Sequence, residues 1–183
     1  MRFVPTEVAG VYVLEVERRQ DARGFFGRLW CAEELARHGL SGHVAQVNVA
    51  YNRRRGTLRG LHYQLAPYAE AKLVRCTRGA LFDVAVDVRP ESPTYLRWVG
   101  VELAADTYRM LYVPEGCAHG YLTLEDHTEV IYLVSCPYTP SHERGIRYDD
   151  PAVGVRWPLD PVVVSEKDQG WPPYAMTRLA EGG

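Results

Sequence analysis

The chain lacks any run approaching the roughly 18 consecutive apolar residues of a membrane helix. Its start, MRFVPTEVAG, has neither the basic head nor the apolar stretch of a secretion signal, so the expected location is cytoplasmic. Cysteine is scarce. Cys31, Cys76, Cys117 and Cys136 form no CxxC pair, and no His follows them at zinc-finger spacing. They read as four free, mostly buried thiols in a reducing compartment. The formal charge of -2 gives no global attraction to nucleic acid. There is no repeat, low-complexity segment or linker, no glycine-rich dinucleotide fingerprint and no HxH pair.

What is present is a soluble composition, with 46% hydrophobic and 24% charged residues. At 183 residues the sequence suits a single domain over 1–183. Proline and glycine recur between short runs rich in Val, Leu and Tyr, the rhythm of an all-β protein. The clearest pair of strands is Lys72 to Arg78 and Ala80 to Arg89, separated by Gly79. In the second, Phe82, Val84, Val86 and Val88 alternate with Asp83, Ala85 and Asp87. Other expected strands are Val11 to Val16, Val44 to Asn48, Val99 to Leu103, Met110 to Val113 and Thr128 to Val134. One helix is expected from Ala32 to His38, with Glu33 and Glu34 in its first turn, Arg37 and His38 in its last, and Gly39 beyond. Residues 172–183 read as a loose tail. A closed barrel or a jelly roll fits this pattern, and periodicity does not choose between them.

Arg59-Gly60-Leu61-His62-Tyr63-Gln64 is the most informative segment. A glycine between large polar residues suggests a bend or a close backbone approach. A kink there would let Arg59 and His62 face one cavity. RGLHYQ is followed in order by AKLVRCTRGALFDVAVDVR, VPEGCAHGYL, HERGIRYDDP and SEKD, and preceded by DARGFFGR. In this order and spacing, from about Val4 to Asp168, the motifs resemble the dTDP-4-dehydrorhamnose 3,5-epimerase family. The resemblance implies a cupin fold, a double-stranded β-helix or jelly roll with one or two short helices. It also implies a homodimer, a nucleotide-sugar substrate and no cofactor or metal.

Epimerisation beside a C4 ketone removes a proton from C3 or C5, passes through an enolate, and returns a proton to the opposite face. It needs a base, a group to stabilise the enolate oxygen, and an acid across the ring. By resemblance His62 is the base and Asp168 its partner, which would fix the imidazole tautomer. Lys72 matches the lysine near the ketone, and Tyr132 the acid, with Tyr138 a second candidate phenol. Val130, Tyr132 and Val134 share a strand face, so the Tyr132 ring points to apolar surroundings. Arg23 and Arg59 match arginines near the diphosphate and nucleotide, and Phe26 the aromatic that packs against the base. Asn48, His119 and Glu143 match polar residues of the family pocket, with His119 placed just after a strand.

Three departures bear on the substrate. Arg28 stands where many members carry Glu, whose carboxylate can accept from thymine N3–H; a guanidinium has no acceptor and would favour cytosine. The stretch Val47 to Asn52 keeps Asn48 but loses polar residues common in the family, including a serine near the phosphates. The Arg53 to Arg55 run reads either as a solvated loop or as a compensating anion site. Leu133 replaces a common lysine. The leading expectation is therefore a dTDP-linked 4-keto-6-deoxyhexose, with a CDP-linked sugar as the alternative. A metal-dependent cupin would need clustered His and carboxylate ligands, and a non-catalytic binding module would have lost the acid–base set.

Overall fold

The computed structural model describes residues 1–176. Its elements in chain order are β1 (Arg2–Pro5), β2 (Tyr12–Glu15), β3 (Arg19–Asp21), β4 (Gly24–Phe26), α1 (Ala32–Arg37), β5 (Gln46–Asn52), β6 (Thr57–Gln64), β7 (Lys72–Arg78), β8 (Ala80–Asp87), β9 (Trp98–Ala104), β10 (Met110–Val113), β11 (Cys117–Thr123), β12 (Thr128–Val134), β13 (Glu143–Gly145), β14 (Val163–Val164) and α2 (Glu166–Gln169). Two antiparallel sheets face each other, in the orders β1-β2-β10-β7-β12-β5 and β13-β6-β11-β8-β9. Strand β14 joins β6 in parallel, and β3 pairs with β4 as a separate hairpin. This is the expected jelly-roll sandwich with short helices.

The core between the sheets takes Val74, Cys76, Leu111, Val113 and Val130 from the first sheet. It takes Leu81, Ala85, Leu103, Cys117 and Tyr121 from the second. Outside the first sheet, Leu35 of α1 packs on Leu14, Leu73, Met110 and Tyr112. A helix this short does not persist alone in water. Burial of Leu35, worth about 1.5–3 kcal/mol, keeps it docked.

The two expected strands flanking Gly79 are present but do not pair with each other: β7 lies in the first sheet and β8 in the second, and Gly79, at φ +73° in the left-handed region, turns the chain from one sheet to the other. β8 ends at Asp87 rather than Arg89. There the Asp87 carboxylate leaves the ladder to accept from Arg89, Ser92 and Thr94 in a turn. β5 runs on to Asn52 because it pairs with all of β12. The alternation in β8 reads as one buried face, yet both are buried. Leu81 and Ala85 face the sandwich, while Val84 and Val86 are covered by Ile146, Val153 and Tyr174. Tyr174 also corrects the loose tail expected from 172. It is buried and its main-chain N–H donates to Asp150 Oδ2 at 2.8 Å. Residues 177–183 of that tail lie outside the described residues. The cysteines are free, with Cys76 and Cys117 buried and Cys31 and Cys136 half-buried. Burial pushes the Cys76 thiol up to about 11 and Cys117 to about 12.

Candidate active site

In a regular strand, residues three apart point to opposite faces. Arg59 and His62 nevertheless line the same cavity, of about 440 Å³. The irregularity lies at Gly60, whose φ is +116°. A Cβ there would stand 2.5 Å from Gly120 Cα and 2.7 Å from His119 O. Register between β6 and β11 shifts at the same place. The glycine thus permits both the kink and the close approach of β11.

His62 Nε2 lies 2.6 Å from Asp168 Oδ1. Asp168 comes from α2, where Ser165 Oγ caps the helix by accepting from Asp168 N at 3.1 Å. The second carboxylate oxygen accepts from Gly60 N at 3.2 Å. Asp168 is only 4% exposed. Burial opposes its ionisation, but the bonds from His62, Gly60 and Ser165 hold its carboxyl below the usual range. The Trp171 ring stands edge-on to His62, with centroids 6.3 Å apart. It occupies the space where a Cβ on Gly145, the cross-strand neighbour of His62, would lie.

Lys72 Nζ meets Glu70 Oε1 at 3.1 Å and donates to His62 O at 3.3 Å. Tyr132 projects from β12 into the same cavity. Burial raises its phenol, Arg59 opposes this, and Glu70 adds to it. A second imidazole–carboxylate pair, His119 Nε2 to Asp83 Oδ1 at 2.7 Å, faces His62 across the β11–β6 ladder. His119 sits within β11, not just after a strand.

An adjoining cavity of about 450 Å³ shares His62, Lys72 and Tyr132, and adds Asn48, Tyr138 and Glu143. Tyr138 OH donates to Glu143 Oε2 at 2.7 Å, and Lys167 Nζ reaches the same oxygen at 2.5 Å. Burial works against the Glu143 carboxylate, but Lys167 and Tyr138 hold it below its ordinary value.

Nine of the twelve residues expected at the site thus line these two cavities: His62, Asp168, Tyr132, Lys72, Asn48, Arg59, His119, Tyr138 and Glu143. Three do not within one chain. Arg23 is exposed and paired with Asp21 at 2.6 Å, and Phe26 is 68% exposed. Arg28 is paired with Glu34 at 2.7 Å, in a separate depression beside Met1 and His38. All three ride on the exposed β3–β4 hairpin or just beyond it. The Arg53 to Arg55 run is a solvated turn that lines neither cavity. Among the lining residues that escaped the sequence reading are Glu70, Lys167, Tyr121 and Thr57. Lys167 stood in SEKD beside Asp168 and was the one with a visible signal. No cluster of three or more His, Cys, Asp or Glu suited to a metal occurs among the described residues.

Comparison with known proteins places this geometry. The family model for dTDP-4-dehydrorhamnose 3,5-epimerase matches residues 5–176. A dTDP-4-dehydrorhamnose 3,5-epimerase of Sinorhizobium fredii is 45% identical over 94% of this chain and 89% of its own. The crystal structure of a dTDP-4-dehydrorhamnose 3,5-epimerase from Elizabethkingia anophelis superposes with a TM-score of 0.93 at 34% identity, covering 96% of this chain and 97% of that one. A Legionella pneumophila dTDP-6-deoxy-D-glucose-3,5-epimerase, solved in complex with dTDP-4-keto-L-rhamnose, gives 0.85 at 35% identity over 93% and 90% of the two chains.

Proposed function

This chain belongs to the dTDP-4-dehydrorhamnose 3,5-epimerase family, and from that premise we propose how its own residues carry the reaction. The substrate is dTDP-4-dehydro-6-deoxy-D-glucose, and the product is dTDP-4-dehydro-L-rhamnose. The observation that carries this reading is the His62–Asp168 pair opening on a cavity that also holds Lys72 and Tyr132. Asp168 engages Nε2, which leaves Nδ1 to take the proton from C5 or C3. The electrons move into the C4 carbonyl, and the enolate oxygen meets the Lys72 ammonium. Tyr132 then returns a proton to the carbon from the opposite face, and the enolate collapses to the ketone. Each inversion leaves His62 protonated and Tyr132 ionised, and solvent resets the pair. Proton NMR of the sugar in D2O tests the reading. Deuterium should enter at both C3 and C5, and entry at only one carbon would reduce the enzyme to a mono-epimerase.

The donor set of the site is complete for this chemistry without a metal. Activity is therefore expected to survive exhaustive EDTA treatment and dialysis. Loss of activity restored by one equivalent of a divalent ion would overturn the proton-transfer scheme.

The base is read as thymine. Arg28, the feature that favoured cytosine, is occupied by Glu34 in one chain. Calorimetric titration should give tighter binding of dTDP than of CDP. A preference for CDP would restore Arg28 as the reader of the base.

We infer further that the working unit is a homodimer. On the edge strand β5, Val47, Val49 and Tyr51 point to one face and are 62%, 65% and 46% exposed. An uncovered apolar edge strand invites pairing with a second chain. The β3–β4 hairpin projects with Phe26 and Arg23 free of the chain's own cavity, which suits a partner's site. Val49→Asp is expected to give a monomer by light scattering, with kcat/KM down about tenfold or more from lost binding groups. Full activity in that monomer would show each chain to be self-sufficient.

A further inference from the structure

The stretch Val47 to Asn52 is one of the departures from the family's pattern, and its last residue is built into the site. We propose that Asn52 is a positioning residue that aims the Arg59 guanidinium at the substrate's diphosphate; this rests on the assignment of Arg59 to the phosphates. Asn52 closes β5 and is 2% exposed. Its Nδ2 donates to the Thr128 main-chain oxygen at 3.1 Å and to Tyr121 Oη at 3.3 Å. Its Oδ1 accepts from Arg59 Nε at 2.9 Å. The amide has one workable orientation. Turned over, it would set its NH2 against the Nε–H and its oxygen against a carbonyl. Tyr121 stays a neutral phenol beside it, pushed up to about 12 chiefly by burial.

Arg59 is thereby held at Nε, which leaves its two Nη groups for an anion. Among the described residues no carboxylate pairs with Arg59, whereas Asp21 takes Arg23 and Glu34 takes Arg28. The difference is chemical. A carboxylate would orient the guanidinium and also cancel its charge, while a neutral amide orients it and leaves the full charge for phosphate. The polar function expected of a serine in this stretch is thus met indirectly, by a buried amide working through an arginine.

The test compares dTDP with thymidine, which lacks the phosphates. In Asn52→Leu, dTDP binding should weaken about tenfold, the scale of one lost charge-assisted hydrogen bond. Thymidine binding should not change, and KM should rise with kcat nearly constant. In an Arg59→Ala background, adding Asn52→Leu should cost dTDP nothing more. Asn52→Asp provides a second route if the leucine variant melts early: it keeps the Arg59 contact, cancels the charge, and should also weaken dTDP but not thymidine. Equal weakening of dTDP and thymidine, unchanged dTDP binding, or additive losses in the double variant would overturn the positioning role. If Arg59→Ala itself binds dTDP normally, the phosphate assignment of Arg59 falls, and the proposal falls with it.

Discussion

The His62→Ala protein is expected to lose solvent exchange at both C3 and C5 by about 10²–10⁴-fold, the usual worth of a positioned general base. Its fold should persist, because His62 is half-buried and its loss leaves space at the cavity wall. Asp168→Asn should lower the rate by a similar order while keeping the shape of the pair. An amide opposite Nε2 provides no negative charge to stabilise the imidazolium, and it can hold the wrong tautomer. Exchange is read by proton NMR in D2O, with circular dichroism as the check on folding. Near wild-type exchange in His62→Ala would remove His62 as the base. The same carboxylate has a signature in stability. Its pKa is depressed in the folded protein, so its contribution is present above the unfolded value and is lost as pH falls through the folded one. Between neutral pH and strong acid, wild type should therefore lose more stability than Asp168→Asn.

Much of this was legible from the chain because the signals were local. Gly79 between two apolar runs predicts a turn between two strands, and the charges of Ala32 to His38 predict α1 almost to the residue. The inward face of Val130, Tyr132 and Val134 follows from a period of two, and the cavity confirms where that face leads. What was not legible depended on the rest of the molecule. Asp83 and Asp87 alternate with valines in β8 as if one face met water, yet the segment carrying Ile146, Val153 and Tyr174 covers the other face as well. No periodicity inside β8 encodes that cover. Arg23, Phe26 and Arg28 were placed at the site by motif, and the single chain leaves them outside it. Lys167 and Asn52 were missed for a further reason. Their roles depend on contacts with Glu143 and Arg59 that the sheets bring together across the fold.

Tyr132→Phe should separate proton removal from inversion. The ring of Tyr132 packs against the core while its hydroxyl faces the cavity, so phenylalanine preserves the packing and removes only the acid. His62 and Asp168 remain, so deuterium should still enter at C3 and C5. The deuteron is delivered to the face the proton left, by the exchanged His62, or comes from water, and net inversion falls by about 10²-fold or more. The pH profile adds a second reading. Burial raises the Tyr132 phenol, Glu70 reinforces this and Arg59 opposes it, so the acid stays protonated above the ordinary phenol range. Wild-type inversion should thus fall only at pH above that range, and the tyrosine-dependent limb should vanish in the variant. Two outcomes would count against the assignment. Inversion at the normal rate would move the acid's role to Tyr138, whose hydroxyl is already given to Glu143, or to water. Loss of deuterium entry together with inversion would mean that the phenol is needed to form the enolate, and the division of labour between His62 and Tyr132 would fail.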